Sequence, residues 1–409
     1  MKIKFVISYC CFLFALSLSA PLQAQDAYSK INLSYHYNPN AEVRLQSKIA
    51  KSNDSLLVFL KIKTLIGVGL PDNYTITYST ISDFSLIPSF QDTISYPKHL
   101  KTIFRNDYFL KLPLLYDFDE DYLVLKIRNN NTQNEYFFDI KVSKNEDFPV
   151  PDYLFFNSAT NEPVWNRFVN RNDTIEIRSF SKNDNYAGFI YGKDFSAAEP
   201  PMAVISQNVQ EKISIDSTFN IAEDNSFSLK DSKLLFLQAD TNSFAGISVR
   251  IEDLFYPKLA RVEDVIDPLL YITTKGEKQA LVEAPQKKKA LDKFWLQVAR
   301  TPQRAKTIIK MYFNRIEEAN LLFTNYKQGW KTDQGMIYSI YGAPDVVHRE
   351  GEQEQWIYNK TEDLPKISFR FLRVKNMLTD HHYSLIKDEE YRLYWHRAID
   401  LLRKGRQNT

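Results

Sequence analysis

Glycine is scarce in this sequence. Only 11 of the 409 residues are glycine, whereas about 7% is usual in globular proteins. The low count excludes collagen-like chains and glycine-rich low-complexity chains. It also weighs against enzymes that hold a phosphate in a glycine-rich loop, because such loops need glycines at fixed spacing. The sequence contains no G-x-x-x-x-G-K-[ST], no G-x-G-x-x-G and no G-x-S-x-G pattern.

Cysteine is confined to Cys10 and Cys11, inside an N-terminal segment typical of exported proteins. Two lysines precede an apolar run from Phe5 to Leu18, and small residues follow up to Ala24. This pattern predicts a secretory signal peptide over residues 1–24. The apolar run is shorter than the roughly 20 residues that span a bilayer. A retained N-terminal anchor and a lipid-modified cysteine are the alternatives.

Removal of this segment would change both the cysteine content and the net charge. The mature chain of 385 residues would contain no cysteine, which excludes disulfides, cysteine nucleophiles and thiolate metal sites. The loss of two lysines lowers the formal net charge from +2 to zero. A neutral chain argues against nucleic acid as a partner. No later apolar stretch reaches spanning length, so we expect no membrane span in the mature chain.

The mature chain is expected to be multidomain, β-rich first and α+β at its end. Short strand-like runs predict two β-sandwich domains, at residues 25–148 and 149–258. Helical periodicity follows at residues 259–328, which we expect to be a helical segment. Residues 329–409 predict a small C-terminal domain made of helices and an antiparallel sheet.

The strands predicted for the two sandwiches share runs of β-branched and aromatic residues between polar turns. They are Ile31–Tyr37, Leu56–Ile62, Tyr74–Ile81, Tyr108–Leu112, Tyr122–Ile127, Tyr136–Val142, Thr174–Ser179, Ala187–Tyr191, Ala203–Ser206, Ile213–Ile215, Lys233–Leu237 and Ala245–Ile251. Their spacing of roughly 10–15 residues is typical of a β-sandwich.

Three of the rare glycines, Gly329, Gly335 and Gly342, lie within 14 residues of one another. In a glycine-poor chain, this clustering indicates that the backbone has unusual requirements there. Thr332 or Asp333 can cap a helix at this point, and Gly342 suits the left-handed position that ends it.

The run from Gly329 to Asp345 resembles the signature of the GWxTD-domain family of bacterial envelope proteins, G-W-x-T-D-R-G followed by Y-G-x-P-D. The matching residues are Gly329, Trp330, Thr332, Asp333, Gly335, Tyr341, Gly342, Pro344 and Asp345. The resemblance covers about residues 265–409. It implies a secreted or envelope protein, mostly of Bacteroidota and related bacteria, with no established activity. The family's usual arginine is Gln334 here, which puts any role that needs a cation at this position in doubt.

A shorter resemblance concerns the same C-terminal unit. Gly342, Pro344, Trp356 and Tyr358 are similar to positions of the SmpA/OmlA-type lipoproteins. Those proteins assist the assembly of outer-membrane barrels. The resemblance implies a shared fold and a related role.

The motif residues allow a structural and a functional interpretation. Trp330 either anchors the core in front of the helix or is an exposed contact for a partner. Asp333 either caps the helix or acts as an acid–base group, which would require a second titratable group close by. Asp345 is expected to bond the backbone of its own turn.

Four residues near the C-terminus raise a metal hypothesis. Asp380, His381, His382 and His396 carry ligand types that suit divalent transition metals. The adjacent histidines would point to opposite sides of an extended segment, and the spacing matches no known site. We therefore predict no metal and no cofactor.

The sequence favours a non-catalytic secreted protein of the cell envelope, periplasmic or associated with the outer membrane. It would act as a protein-interaction or assembly module, and its partner would be an envelope protein such as an outer-membrane complex. The predicted interaction residues are the nine matching motif positions and Trp356. The alternative is a periplasmic hydrolase or carbohydrate-binding enzyme with its site around Asp333 and Trp330.

Overall fold

A computed structural model describes most of the chain after residue 26. The described residues are 27–65, 69–90, 92–115, 120–142, 149–181, 185–192, 195–203, 213–222, 226–231 and 233–406. The predicted signal peptide therefore lies outside the described residues, as does most of the predicted strand Ala203–Ser206.

The described part of the chain is rich in β-strands. Its strands are β1 (Val43–Ser52), β2 (Ser55–Thr64), β3 (Tyr74–Ile81), β4 (Asp92–Thr93), β5 (Leu100–Phe104), β6 (Asp107–Leu115), β7 (Tyr122–Asn129), β8 (Glu135–Lys141), β9 (Tyr153–Asn157), β10 (Glu162–Pro163), β11 (Phe168–Asn170), β12 (Ile175–Ser179), β13 (Asn185–Tyr191), β14 (Ser217–Ala222), β15 (Ser226–Phe227), β16 (Lys233–Gln238), β17 (Ile247–Glu252), β18 (Val346–Glu350), β19 (Gln353–Tyr358), β20 (Ile367–Arg373) and β21 (Tyr383–Leu385).

Eight α-helices lie in the same described ranges, most of them after residue 260. They are α1 (Leu70–Asn73), α2 (Tyr96–His99), α3 (Val262–Ile266), α4 (Lys275–Glu283), α5 (Lys287–Ala299), α6 (Pro302–Phe323), α7 (Asp333–Tyr341) and α8 (Tyr391–Arg403). Short 3-10 turns occur at Tyr28–Lys30, Ser34–Tyr37, Asp267–Tyr271 and Gly329–Lys331.

The first two sheets enclose a common apolar core. Their strand orders are β1-β2-β6-β5 and β4-β3-β7-β8, and all the pairs are antiparallel. Val58 and Leu60 of β2 belong to the same buried cluster as Leu123 and Leu125 of β7. Alternate residues of each strand thus point inward, as the period of two in a strand requires.

The next two sheets repeat this arrangement further along the chain. Their orders are β10-β9-β12-β15 and β11-β17-β16-β13-β14. Phe155 and Ile177 of the first sheet share a buried cluster with Leu235 and Val249 of the second. One pair, β11 with β17, is parallel, so the second of these sheets is mixed rather than purely antiparallel.

The C-terminal part combines helices with a fifth sheet of order β18-β19-β20-β21. Ile308 of α6, Ile337 of α7 and Trp356 of β19 lie in the largest buried cluster, which also contains Tyr28 and Tyr37 from the N-terminal segment. The N-terminal segment therefore packs into the core of the C-terminal part. Within the described residues, no helix is both long and apolar enough to cross a membrane.

The coarse prediction of a β-rich chain followed by helices and a sheet is confirmed, and the boundaries between the domains stay predictions. Strand Tyr74–Ile81 has the predicted bounds, and Leu56–Ile62 and Tyr122–Ile127 lie inside β2 and β7. The predicted strand Ile213–Ile215 is wrong, because the strand in this region begins later, at Ser217.

The predicted strand Ile31–Tyr37 is also wrong. Ser34–Tyr37 forms a 3-10 turn instead, and Ile31 to Leu33 lie outside any strand, although the apolar residues of the segment alternate. Its backbone is held from outside, since Leu33 N donates to Val347 O at 2.8 Å and Tyr35 Oη donates to Phe137 O at 2.8 Å. These tertiary contacts override the local preference for a strand.

Candidate functional site

The glycine cluster lies where the motif segment crosses α6. A side chain on Gly329 would place its Cβ 2.0 Å from Ala319 O and 2.6 Å from Asn320 Cα. A Cβ on Gly335 would lie 1.8 Å from Gly329 O. Both positions therefore need glycine because backbone approaches backbone. Gly342 differs, since its φ of +83° requires the freedom of glycine at the end of α7.

Thr332 is the residue that caps α7. Its Oγ1 accepts a hydrogen bond from Gly335 N at 2.9 Å and donates one to Gly329 O at 2.7 Å. One hydroxyl thus satisfies a free amide at the helix start and closes the preceding turn. The prediction of a cap at Thr332 or Asp333 is confirmed for Thr332.

Asp333 is the first residue of α7 and does not cap it. Its Oδ2 accepts a hydrogen bond from Leu385 N at 3.0 Å. This bond ties the edge strand β21 to the start of α7, 52 positions earlier in the chain. The carboxylate therefore has a structural partner that the sequence did not reveal.

Trp330 is a core residue. Only 3% of its surface is exposed, its Nε1 donates to Gln328 Oε1 at 3.0 Å, and its ring packs edge-on against Tyr271. Its backbone N donates to Asn320 Oδ1 at 3.2 Å. Of the two interpretations, the structure places Trp330 as a packing anchor.

The remaining motif residues form the turn between α7 and β18. Gly342 O accepts a hydrogen bond from Tyr358 Oη at 2.9 Å, and the buried Tyr341 ring packs against Tyr358 and Phe369. Asp345 is exposed, and its Oδ2 accepts from Asn359 N at 2.7 Å.

The expectation that Asp345 bonds its own turn is wrong. Its carboxylate reaches across the hairpin to Asn359, which follows the end of β19. Pro344 is buried between the helix and the hairpin. The Y-G-x-P-D segment thus joins α7 to the first two strands of the C-terminal sheet.

A buried carboxylate, Glu354, lies at the centre of the C-terminal unit. It is fully buried, and its Oε1 accepts hydrogen bonds from Tyr37 Oη at 2.6 Å, Trp356 Nε1 at 2.6 Å and Gln334 Nε2 at 3.1 Å. Its Oε2 accepts two bonds from Arg349, at 3.0 Å from Nε and 2.6 Å from Nη2. Five donors therefore compensate for the burial of this charge.

This arrangement explains what Gln334 does at the position of the family's arginine. Gln334 is 3% exposed and supplies a neutral amide donor to Glu354. The cation that faces Glu354 comes from Arg349 on β18. The C-terminal core thus keeps a paired carboxylate without a cation at position 334.

Arg349 connects the C-terminal sheet to the N-terminal sheets. Its Nη1 lies 2.6 Å from Asp139 Oδ1 of β8, and both side chains are under 10% exposed. Tyr28 Oη donates to the same oxygen at 3.3 Å. Burial alone would raise the pKa of Asp139, but the Arg349 guanidinium beside it lowers the pKa below its ordinary value. The pair therefore stays ionised inside the protein.

His36 lies beside this network. Its Nε2 is 2.7 Å from Phe137 O, and its ring stacks on Phe138 at 4.8 Å. Burial, and next the charge of Arg349, lower the pKa of His36 to about 4. The imidazole is therefore neutral at neutral pH and donates to the carbonyl through Nε2.

The residues of the metal hypothesis do not converge. In the part of the chain that the structure describes, no group of three His, Cys, Asp or Glu side chains is placed to hold a metal ion. Asp380 O accepts from Arg373 Nε at 2.8 Å, His382 packs against Tyr326, and His396 is exposed on α8.

The comparisons with known proteins agree with the motif. The family model of the GWxTD domain matches residues 233–404. The chain carries a GWxTD domain. The match begins at the first residue of β16, well before the resemblance seen at about residue 265, and covers fewer than half of the 409 residues. No curated protein matches the chain.

One solved structure with limited similarity is the crystal structure of DIP-gamma IG1+IG2. The match covers 52% of this chain and 96% of the chain in that structure, at 10% sequence identity and a TM-score of 0.15. A TM-score this low carries no argument about the fold. The similarity of the C-terminal unit to SmpA/OmlA-type lipoproteins stays a prediction.

Sequence reasoning missed the residues of the buried network. Asp139 comes from a predicted strand and was not expected to pair with the C-terminal part, from which it is separated by 210 positions. The sequence does contain one indication of this network. Arg349 and Glu354 occupy paired positions of the hairpin formed by β18 and β19. Arg349 and Glu354 share a strand face with the apolar Val347 and Trp356, and two opposite charges on such a face indicate a buried ion pair.

Proposed function

We propose that this GWxTD protein is a non-catalytic protein of the bacterial envelope that binds a partner protein through its C-terminal sheet. It would be exported by its N-terminal segment and would act in the periplasm or at the outer membrane. The partner would be an envelope protein, such as a component of an outer-membrane complex. The buried motif fixes the sheet, and the outer face of the sheet makes the contact.

The outer face of the C-terminal sheet is the observation that carries this proposal. Along β20 and the turn that follows, Leu372 and Val374 are 47% and 41% exposed, and Ile386 beside them is 40% exposed. The inward residues Phe369 and Phe371 are fully buried. The outward residues of β20 are Ser368, Arg370 and Leu372, so the exposed apolar side chains lie at one end of this face. An exposed apolar group of this kind is typical of a surface that contacts another molecule.

The three exposed residues are neighbours in space. Ser384 pairs with Leu372, and Ile386 N donates to Arg370 O at 2.8 Å, so Ile386 lies diagonally beside Leu372 on the same face. Arg370 and Ser384 lie on the same face, so this surface combines apolar and polar side chains. Strand β21 is also fixed to α7 by Asp333, which holds the surface rigid.

The test is a pair of double substitutions. Leu372→Glu with Ile386→Glu changes the outer face, and Val282→Glu with Leu296→Glu changes equally exposed residues of α4 and α5. Both variants should keep the thermal stability of the parent, because all four side chains are exposed. Cross-linking in intact cells, followed by affinity purification, measures the amount of partner captured.

We expect the outer-face variant to lose about tenfold or more of the captured partner, because two charges would be buried in the contact. The control variant should capture as much as the parent. Equal capture by both variants, or a parent protein that is recovered only as a free monomer, would contradict the proposal.

A further inference from the structure

Three outer strands of the sheets are each hydrogen-bonded by a group from elsewhere in the chain. The covering hydrogen bonds are Phe137 N of β8 to Tyr35 Oη at 2.6 Å, Leu33 N to Val347 O of β18 at 2.8 Å, and Lys51 N of β1 to Pro151 O at 2.8 Å. Such cover prevents an edge strand from pairing with another chain.

Strand β5 is an exception. It ends the sheet β1-β2-β6-β5 and pairs only with β6 among the described strands. All of its residues from Lys101 to Phe104 are exposed, and Ile103 and Phe104 are 55% and 66% exposed. The outer edge β14, which is also exposed, carries Ser, Thr and Asn there instead. Within the described ranges, β5 therefore combines an edge that no further strand pairs with and large apolar side chains, and a bulge between Leu100 and Thr102 interrupts its pairing with β6.

The charge around β5 has one sign. Residues 95–106 contain no acidic residue and carry the cations Lys98, Lys101 and Arg105. The next carboxylate along the chain, Asp107, is already engaged by two lysines of β2 at 3.5 Å each. Among the described residues, the charges along this edge that lack an ion-pair partner are therefore positive.

Positive charge also surrounds the neighbouring strand β6. Lys111 of β6 has a lowered pKa, first because it is partly buried and next because Lys101 and Arg178 lie near it. Its ammonium lies over the ring of Phe59 at 5.4 Å. A second copy of β5 would bring the same cations together, whereas an acidic segment would balance them.

We propose that β5 is a docking edge for an extended acidic and apolar segment of a partner protein. The segment would add to the sheet as a fifth strand, with backbone hydrogen bonds along β5. Because Ile103 and Phe104 point to opposite faces of β5, the apolar side chains of an alternating segment would cover Phe104. Its carboxylates would lie on the other face and pair with Lys101 and Arg105. This surface lies on the N-terminal sheets and is separate from the outer face of the C-terminal sheet.

The experiment uses the full chain and fluorescently labelled peptides about ten residues long, since this length matches a long strand. One peptide alternates Glu and Val, and a second alternates Lys and Val. A third has the Glu-Val sequence with N-methyl groups on alternate residues, which removes backbone donors and keeps the side chains. Fluorescence anisotropy measures the affinities.

The protein variants separate this edge from general electrostatics. Lys101→Glu with Arg105→Glu reverses the charge beside β5, and Lys288→Glu with Lys289→Glu makes the same change of charge on α5. Leu372→Glu with Ile386→Glu serves as a third variant. It tests whether peptide binding is independent of the surface in the proposed function.

We expect the Glu-Val peptide to bind and the Lys-Val peptide not to bind. N-methylation, or charge reversal at β5, should each weaken binding by about tenfold or more. The other two variants should bind as the parent does. Binding that ignores N-methylation, equal losses in both charge-reversal variants, absence of binding, or a dimer that forms through β5 would each overturn the proposal.

Discussion

At the residue scale, the glycines of the motif show how far a sequence pattern can be interpreted. Their clustering correctly predicts a special backbone, and Gly342 has the expected left-handed conformation. Gly329 and Gly335 are needed for a different reason, which is close approach of one backbone to another. No local pattern predicts that approach, because α6 and the motif turn meet only in the folded chain.

Substitution of Gly335 tests this explanation. Gly335→Ala places a Cβ 1.8 Å from Gly329 O, so we expect a loss of about 3 kcal/mol or more in the free energy of unfolding. Gly276→Ala is the matched control, since nothing lies within 4 Å of its new Cβ. It should change stability by less than about 1 kcal/mol, in the stabilising direction. Urea denaturation measures both, and similar losses in the two variants would contradict the explanation.

The buried charge of Glu354 is the second residue-scale feature. Five donors converge on it, and Arg349 is the only cation among them. Gln334 contributes one of these donors in place of the family's arginine. Position 334 therefore supplies a neutral donor to Glu354, and the positive charge beside that carboxylate comes from Arg349.

Removal of the charge on Glu354 should be costly. Glu354→Gln leaves Arg349 paired only with Asp139, and we expect a loss of about 3 kcal/mol in the free energy of unfolding. Glu389→Gln removes a partner of the exposed Arg392, and its effect should stay below about 0.5 kcal/mol. Thermal or urea unfolding compares the two. A Glu354 variant as stable as the Glu389 variant would show that the network contributes little.

At the element scale, helix α7 was well predicted because its signals are local. A capping hydroxyl, an apolar stripe and a terminal glycine are all contained in residues 332–342. The predicted strand Ile31–Tyr37 failed for the opposite reason. Its alternation was genuine, but bonds to Val347 and Phe137, more than one hundred positions away, decide its conformation.

The cap of α7 gives a prediction at this scale. Thr332→Ala removes both hydrogen bonds of the hydroxyl, and we expect a loss of about 1–2 kcal/mol in stability. Thr332→Ser keeps the hydroxyl and should recover most of that loss. Unfolding curves and the helical signal in circular dichroism measure the effect. If the serine variant were as unstable as the alanine variant, the methyl contact rather than the cap would be the important feature.

At the scale of the whole molecule, the N-terminal segment and the C-terminal sheet share one core. Tyr37 bonds to Glu354, Tyr28 bonds to Asp139, and both tyrosines lie in the largest buried cluster. Local periodicity predicted the helices and strands of the C-terminal part, but it wrongly predicted a strand at Ile31–Tyr37. It could not predict the joint between the N-terminal segment and the C-terminal sheet, because ion pairs between distant strands leave no periodic signal.

The pH dependence of stability reports on this joint. The folded pKa of His36 is about 4, below its ordinary value of 6.5. As the pH falls, the unfolded chain takes up the proton first, so the contribution is complete above pH 6.5 and is lost as the pH falls towards about 4. We expect this loss to be about 3 kcal/mol.

The matched variant is His36→Gln, which keeps a donor for Phe137 O and cannot gain a charge. Its free energy of unfolding should fall less steeply than that of the parent between pH 6.5 and 4, as followed by urea denaturation at a series of pH values. Identical slopes for the two proteins would mean that His36 is accessible to protons in the folded state.

The central claim is that Arg349 and Asp139 join the N-terminal sheets to the C-terminal sheet. Hydrogen–deuterium exchange on Asp139→Asn tests this claim most directly. We expect faster amide exchange in β18 and β19 as well as in β8. Asp107→Asn, which removes a carboxylate from another strand of the N-terminal sheets, should leave β18 and β19 unchanged. Faster exchange confined to β8 in the Asp139 variant would contradict the account.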